Sequence, residues 1–132
     1  MVKVVIAIIY YKGKILCCQR KKSDKLPNKW EFPGGKVKEH EKLRNALARE
    51  LKEELDMKDI LRVEQFDEFE SSYGLDRYKI YAFIVEAPSY VVNLKVHEKC
   101  QWKLPSEINQ LDWLEGNKDL ISKLIKYNFS SR

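Results

Sequence analysis

Three glutamates, Glu50, Glu53 and Glu54, stand at positions i, i+3 and i+4 of one segment, a spacing at which carboxylates converge on one side of a helix. The segment runs from Gly34 to Met57, GGKVKEHEKLRNALARELKEELDM. At about 100° per residue, Leu43, Ala46, Leu47, Leu51 and Leu55 form a single apolar stripe. Lys42, Asn45, Arg49 and Lys52 fall mostly on the other side. Glu54, however, falls between Leu43 and Leu47, Glu50 falls between Ala46 and Leu43, and Glu53 sits at the stripe's edge. Burying unpaired carboxylates is costly, and like charges held close raise one another's pKa. A shared hard cation resolves the conflict, because Mg²⁺ and Mn²⁺ prefer oxygen ligands. The competing reading is a solvated helix laced by pairs such as Arg49 to Glu53 at i,i+4. That reading puts carboxylates opposite the leucines, whereas two of the three lie among them, so the wheel favours the cation.

Holding such a helix in place requires a core, and the chain supplies one in alternating pieces. Val2 to Ile9 is a nearly continuous apolar run rich in β-branched residues, which predicts a buried strand. Lys12-Gly13 turns the chain, and Lys14 to Gln19 reads as the hairpin partner. A basic loop, Lys21 to Lys29, leads to Trp30-Glu31-Phe32-Pro33-Gly34-Gly35, where proline and paired glycines punctuate the chain before the helix. The helix itself is expected over about residues 41–55, with Glu41 near its start complementing the dipole. Strands are expected at Leu61 to Phe69, Arg77 to Glu86, Tyr90 to Val96 and Cys100 to Leu104, with a loop at Tyr73 to Asp76. Pro105 to Ile108 opens a short helix. Asn117 is placed to cap a last helix, reaching about Tyr127, with Leu120, Ile121, Leu124 and Ile125 inward. Strands interleaved with two main helices imply a mixed α/β sheet packed between helices, and the absence of repeats or linkers implies a single domain, 1–132.

The acidic segment resembles the Nudix box, G-x5-E-x7-R-E-U-x-E-E-x-G-U with U aliphatic. Gly35 and Glu41 fit its first Gly and Glu, Arg49-Glu50-Leu51 fits R-E-U, Glu53-Glu54 fits E-E, and Met57 fits the last U. Asp56 stands where the pattern has Gly. That Gly would end the helix in a left-handed conformation, which Asp visits more readily than most residues. The resemblance implies an α/β/α sandwich across the whole chain and hydrolysis of a nucleoside diphosphate linked to another group, with Mg²⁺ or Mn²⁺. It implies that Glu50, Glu53 and Glu54 hold the metal together with the carbonyl of Gly34, and that Arg49 steadies Glu53 or Glu41.

Outside the box, Gln19-Arg20 followed by Lys29-Trp30-Glu31-Phe32-Pro33-Gly34-Gly35 resembles the MutT-like branch. There the Arg matching Arg20 contacts phosphates and the Phe matching Phe32 lies against the nucleoside. Arg77, opening a strand after Asp76, matches a residue that approaches the base. Asn117 matches a position that reads the base edge, a task suited to an amide that both donates and accepts. Glu98, a few residues before Trp102, matches a Glu on a mobile loop that reaches the metal. Either Glu50 or Glu98 would be the general base. Each has a plainer alternative: a solvated strand end for Arg20 and Arg77, core packing for Phe32, a helix cap for Asn117, solvent exposure for Glu98. His97 reads as a bystander.

The function implied is Mg²⁺-dependent hydrolysis of a nucleoside triphosphate to monophosphate and pyrophosphate, as in sanitation of the nucleotide pool. Hydrolysis of ADP-ribose or a dinucleoside polyphosphate and a non-catalytic nucleotide-binding module are the rivals. A net charge of +5 also admits a nucleic-acid binder, but the lysines are scattered and no aromatic-basic motif is present, so a small nucleotide is the expected partner. The apolar N-terminus is too short to span a membrane, and no membrane partner is expected. Cys17, Cys18 and Cys100 are odd in number with no zinc-ligand spacing, which points to a reducing, cytoplasmic setting.

Overall fold

The computed structural model describes residues 1–127 and 129. Seven strands form one sheet: β1 (Val2–Tyr11), β2 (Lys14–Gln19), β3 (Trp30–Glu31), β4 (Gly34–Lys36), β5 (Arg62–Tyr73), β6 (Asp76–Glu86) and β7 (Lys99–Lys103). Two helices flank it, α1 (Leu43–Leu55) and α2 (Lys118–Lys126), with 3₁₀ turns at Pro105–Gln110 and Glu115–Asn117. The sheet is mixed: β1 runs parallel to β6, whereas β1–β2, β1–β4, β2–β3, β2–β7 and β5–β6 are antiparallel.

The near-continuous apolar run of β1 follows from burial on both faces. Ile6 and Ile8 join Phe32, Trp113, Leu120 and Leu124 on the α2 side. Val5, Ala7 and Ile9 join Leu47, Leu51, Leu55 and Phe83 on the α1 side. The layers are therefore α/β/α. β1 and β2 pair beside their turn, at Tyr10–Ile15 and Tyr11–Lys14. Farther along, the segment from Trp30 to Lys36 fills the space between them, pairing first with β2 through β3 and then with β1 through β4. That segment delivers the chain to the start of α1.

Several local readings need correction. The segment Tyr90–Val96 is not a strand. The Asn93 N–H donates to the Leu55 carbonyl (3.1 Å) and the Lys95 N–H to the Glu54 carbonyl (2.9 Å), so its backbone satisfies the end of α1 instead of a sheet. The expected Tyr73–Asp76 loop narrows to Gly74-Leu75, because Tyr73 and Asp76 already pair across β5 and β6. Ile125 is 41% exposed rather than inward. On the helical wheel it lies at the edge of a stripe centred on Leu124, and the nine-residue helix buries only Leu120, Ile121 and Leu124. Asn117 does precede α2, but its side chain makes no capping hydrogen bond.

Asp56 ends α1 with φ 52° and ψ 35°, the left-handed conformation the box pattern assigns to glycine. The following Met57 N–H donates to the Leu51 carbonyl. A carboxylate here also faces the negative end of the helix dipole. Asp56→Gly is expected to stabilise the protein by about 0.5–1 kcal/mol, from relieved backbone strain and removed charge. A thermal melt should register a rise in Tm of a few degrees.

Candidate active site

The site is built on the face of α1 that meets β4. Leu47, Leu51 and Leu55 are fully or almost fully buried against the sheet. Each supplies roughly 1.5–3 kcal/mol of apolar burial, which offsets the cost of drawing a carboxylate in with them. That carboxylate is Glu54, 7% exposed. Burial first, then the neighbouring Glu50 and Glu31, push its carboxyl well above the usual range, against a smaller opposing effect from the Gly34 N–H. Glu50 sits beside it, its side chain mostly covered, while the Glu53 side chain is 55% exposed. The wheel thus places all three correctly: two in the apolar stripe and one at its rim.

Arg49 locks this arrangement. Its Nε and Nη2 donate to the two oxygens of Glu41, both at 2.8 Å. Nη1 donates to Glu50 Oε1 (2.9 Å) and Glu53 Oε2 (3.3 Å), and Nη2 also reaches the Lys36 carbonyl (3.0 Å). The guanidinium beside Glu41 holds that carboxyl down to about 2. Expected on the polar side of the helix, Arg49 instead folds across its edge, because a planar fork can bind a carboxylate through two bonds at once. Opposite stands β4, and its glycines are required by space. A Cβ on Gly34 would lie 2.0 Å from the Val5 carbonyl oxygen, and one on Gly35 would lie 2.5 Å from the Glu50 carboxyl.

Carboxylate oxygens are the ligand type a hard divalent cation takes, and the Glu54 carboxyl, raised first by burial and then by Glu50 and Glu31, is a group whose charge a nearby cation would favour. Glu50 and Glu54, both mostly covered, and the half-exposed Glu53 are the side chains that could hold one. Among the described residues no three acidic, histidine or cysteine side chains are already gathered as a finished cage. Glu98 is exposed, with its backbone N–H tied to the Gln19 carbonyl (2.8 Å).

Two residues given no role in the sequence reading are central to the geometry. His97 is buried, with Nε2 2.9 Å from Glu31 Oε2 and 4.0 Å from Glu54 Oε1. Glu31 also accepts from Arg20 Nη1 (3.0 Å), and Arg20 Nε donates to the Lys25 carbonyl (2.8 Å). Glu31 was visible only as an acid between two buried aromatics, and nothing near His97 in sequence announces a partner 66 residues away.

Glu31 is also the hinge to a cavity on the α2 side. That cavity, of about 190 Å³, is lined by Val4, Ile6, Phe32, Tyr78, Ile80 and Asn117, among others. Phe32 is buried and packs on Trp113 at 4.7 Å between ring centroids. The Asn117 Oδ1 is buried with no hydrogen-bond partner among the described residues. Arg77 is not brought here. Successive strand residues face opposite sides, so Tyr78 and Ile80 turn to the cavity while Arg77 pairs with Glu70 (2.9 Å), its side chain 69% exposed.

The NUDIX domain model matches residues 1–124. An "8-oxo-dGTP diphosphatase" of Buchnera aphidicola subsp. Schizaphis graminum is 33% identical over 126 residues, 96% of this chain and 95% of the relative. A "CTP pyrophosphohydrolase" of Escherichia coli is 53% identical over 55 residues, 42% of this chain and 41% of the relative. The solution structure of the E. coli ORF135 protein superposes with a TM-score of 0.77 at 30% identity, covering 92% of this chain and 86% of the other. The chain belongs to the Nudix family of hydrolases. Within it, this is a MutT-like enzyme of the pyrophosphohydrolase class.

The raised Glu54 carboxyl has a pH consequence. A folded state that holds a proton more tightly than the unfolded one is favoured at low pH, and loses that advantage as pH rises toward the shifted value. The metal-free protein is expected to lose stability as pH climbs above the ordinary carboxylate range. Glu54→Gln should flatten that decline, read by thermal melts across pH in chelator. Gly35→Ala should displace the Glu50 carboxyl and weaken Mg²⁺ binding at least tenfold in a calorimetric titration, with the fold retained in the circular dichroism spectrum.

Proposed function

We propose that this enzyme hydrolyses a nucleoside triphosphate to nucleoside monophosphate and pyrophosphate with Mg²⁺, Mn²⁺ being able to replace it. The observation that carries the reading is the junction at Glu31 of an aromatic-floored cavity with a cluster of carboxylates centred on the buried Glu54. The cavity is smaller than the roughly 300–1,000 Å³ that encloses a drug-sized ligand. It therefore suits one part of a nucleotide, the base, with sugar and phosphates directed toward α1. Phe32 packs beneath the base, and the Asn117 amide, whose buried Oδ1 has no hydrogen-bond partner among the described residues, reads its edge. Arg20 takes the phosphate chain, with part of its guanidinium already steadied by Glu31, which also lines the cavity.

Glu50, Glu53, Glu54, Glu98 and the Gly34 carbonyl hold the cation. When bound it neutralises phosphate charge and acidifies water. Glu50 or Glu98 takes the proton from the attacking water. Attack at the β-phosphorus breaks its bond to the α-phosphate oxygen, leaving monophosphate and pyrophosphate. Arg49 keeps Glu50 and Glu53 in register. The role is sanitation of the nucleotide pool, in a reducing cytoplasm that suits the three free thiols. The relatives named for 8-oxo-dGTP and CTP support an oxidised purine or a pyrimidine as the base.

The deciding experiment is a panel of dGTP, 8-oxo-dGTP, CTP, dCTP, 5-methyl-dCTP, ADP-ribose and a diadenosine polyphosphate with Mg²⁺, scored by product and rate. Monophosphate plus pyrophosphate from one triphosphate is expected. Cleavage of ADP-ribose or the diadenosine compound alone would overturn the substrate class, and inertness toward all would favour a binding module. Glu54→Gln should lower kcat by orders of magnitude while the protein stays folded.

A further inference from the structure

We propose that His97 is a positioning residue: by holding Glu31 it seats the loop that carries Glu98 and fixes the guanidinium of Arg20. The inference rests on the reading of Glu98 and Arg20 as working residues given above.

The loop between β6 and β7 is stitched down along its length. The Ala87 N–H donates to the Tyr10 carbonyl, Asn93 to Leu55, Lys95 to Glu54 and Glu98 to Gln19. These bonds tie backbone to backbone, and they reach the hairpin, the end of α1 and the end of β2. His97 adds a side-chain pin between the last two of them. It is 4% exposed, and its Nε2 lies 2.9 Å from Glu31 Oε2. A carboxylate only accepts, so with Glu31 ionised the Nε2–H donates, and Nδ1 is left without a hydrogen-bond partner among the described residues. The other Glu31 oxygen takes Arg20 Nη1 at 3.0 Å. One carboxylate thus couples the loop ahead of Glu98 to the residue assigned to the phosphates.

A buried imidazole used only as filler would be replaceable by an apolar side chain of similar size. A ring that donates from one defined nitrogen to a carboxylate shared with Arg20 is not, because its loss removes the side-chain pin on the loop and frees the Arg20 partner. A displacement of about 1 Å in a catalytic group can cost on the order of 10²-fold in rate.

The choice of nitrogen supplies the test. The amide nitrogen of Gln reaches the place of Nε2, whereas that of Asn reaches only the place of Nδ1. Steady-state kinetics with Mg²⁺ and the best triphosphate of the panel should show His97→Asn and His97→Leu lowering kcat roughly 10- to 100-fold with KM changed far less. His97→Gln should stay within a few-fold of the native enzyme. Melting curves identify any variant that fails to fold, and the comparison of Gln with Asn survives the loss of the Leu variant. Equal rates for Gln and Asn, or a native rate for a folded Leu variant, would overturn the inference. Glu98→Gln is the control: a slow variant supports a loop that must be seated, and a native rate overturns this role for His97. An inert native protein would overturn the hydrolase reading as well, whereas an active one with matched Gln and Asn variants overturns this inference alone.

Discussion

The guanidinium of Arg49 is the interaction on which the site depends. It grips Glu41 with two bonds, takes one oxygen of Glu50, touches Glu53, and closes on the Lys36 carbonyl. Every N–H of the fork is engaged, which a lysine with its compact ammonium cannot reproduce. The effect is to join three pieces of chain: the end of β4, the approach to α1 and the helix itself. Without such a clamp, carboxylates this close would turn away from one another toward water.

The clamp works only because the backbone beside it is thin. Gly34 lies against β1 and Gly35 against Glu50 so closely that a single added carbon would collide in either place. The chain therefore spends packing freedom at β4 to bring backbone and carboxylate together, and recovers stability from the leucines one turn away on α1. Glu54 is the cost of this design. It is buried on the same helix as Leu47, Leu51 and Leu55, with its charge disfavoured by burial and by Glu50 and Glu31.

The divergence of β1 from β2 gives the site its second half. Because the segment from Trp30 to Lys36 fills the space between them, neighbouring residues on it serve opposite faces of the sheet. Phe32 belongs to the α2 side and lines the cavity, whereas Glu31 reaches His97 and the neighbourhood of Glu54. The cavity and the carboxylates thus belong to two different cores that meet at one edge. The bridge from Trp30 to Trp113 and the hydrogen bonds to Asp112 and Leu114 bring Leu114, Gly116 and Asn117 to the same cavity from the far end of the chain.

Helical geometry is local, so the sequence alone determined α1: its apolar stripe, the two glutamates within it, the third at the rim, and the left-handed ending at Asp56. The alternation of β1 with its flanking strands and the sandwich architecture were legible for the same reason, since burial on both faces leaves a continuous apolar run. What the sequence could not decide is which distant groups meet. Arg77 reads as a base-side residue until strand register turns it toward Glu70. Tyr90 to Val96 has the composition of a strand until its N–H groups are claimed by the end of α1. Asn117 has the place of a cap without making the cap's bond. His97 looks like a bystander until Glu31 is found beside it. Each of these depends on strand register and on how layers pack, which are set by the whole core at once and leave no mark in the residues alongside.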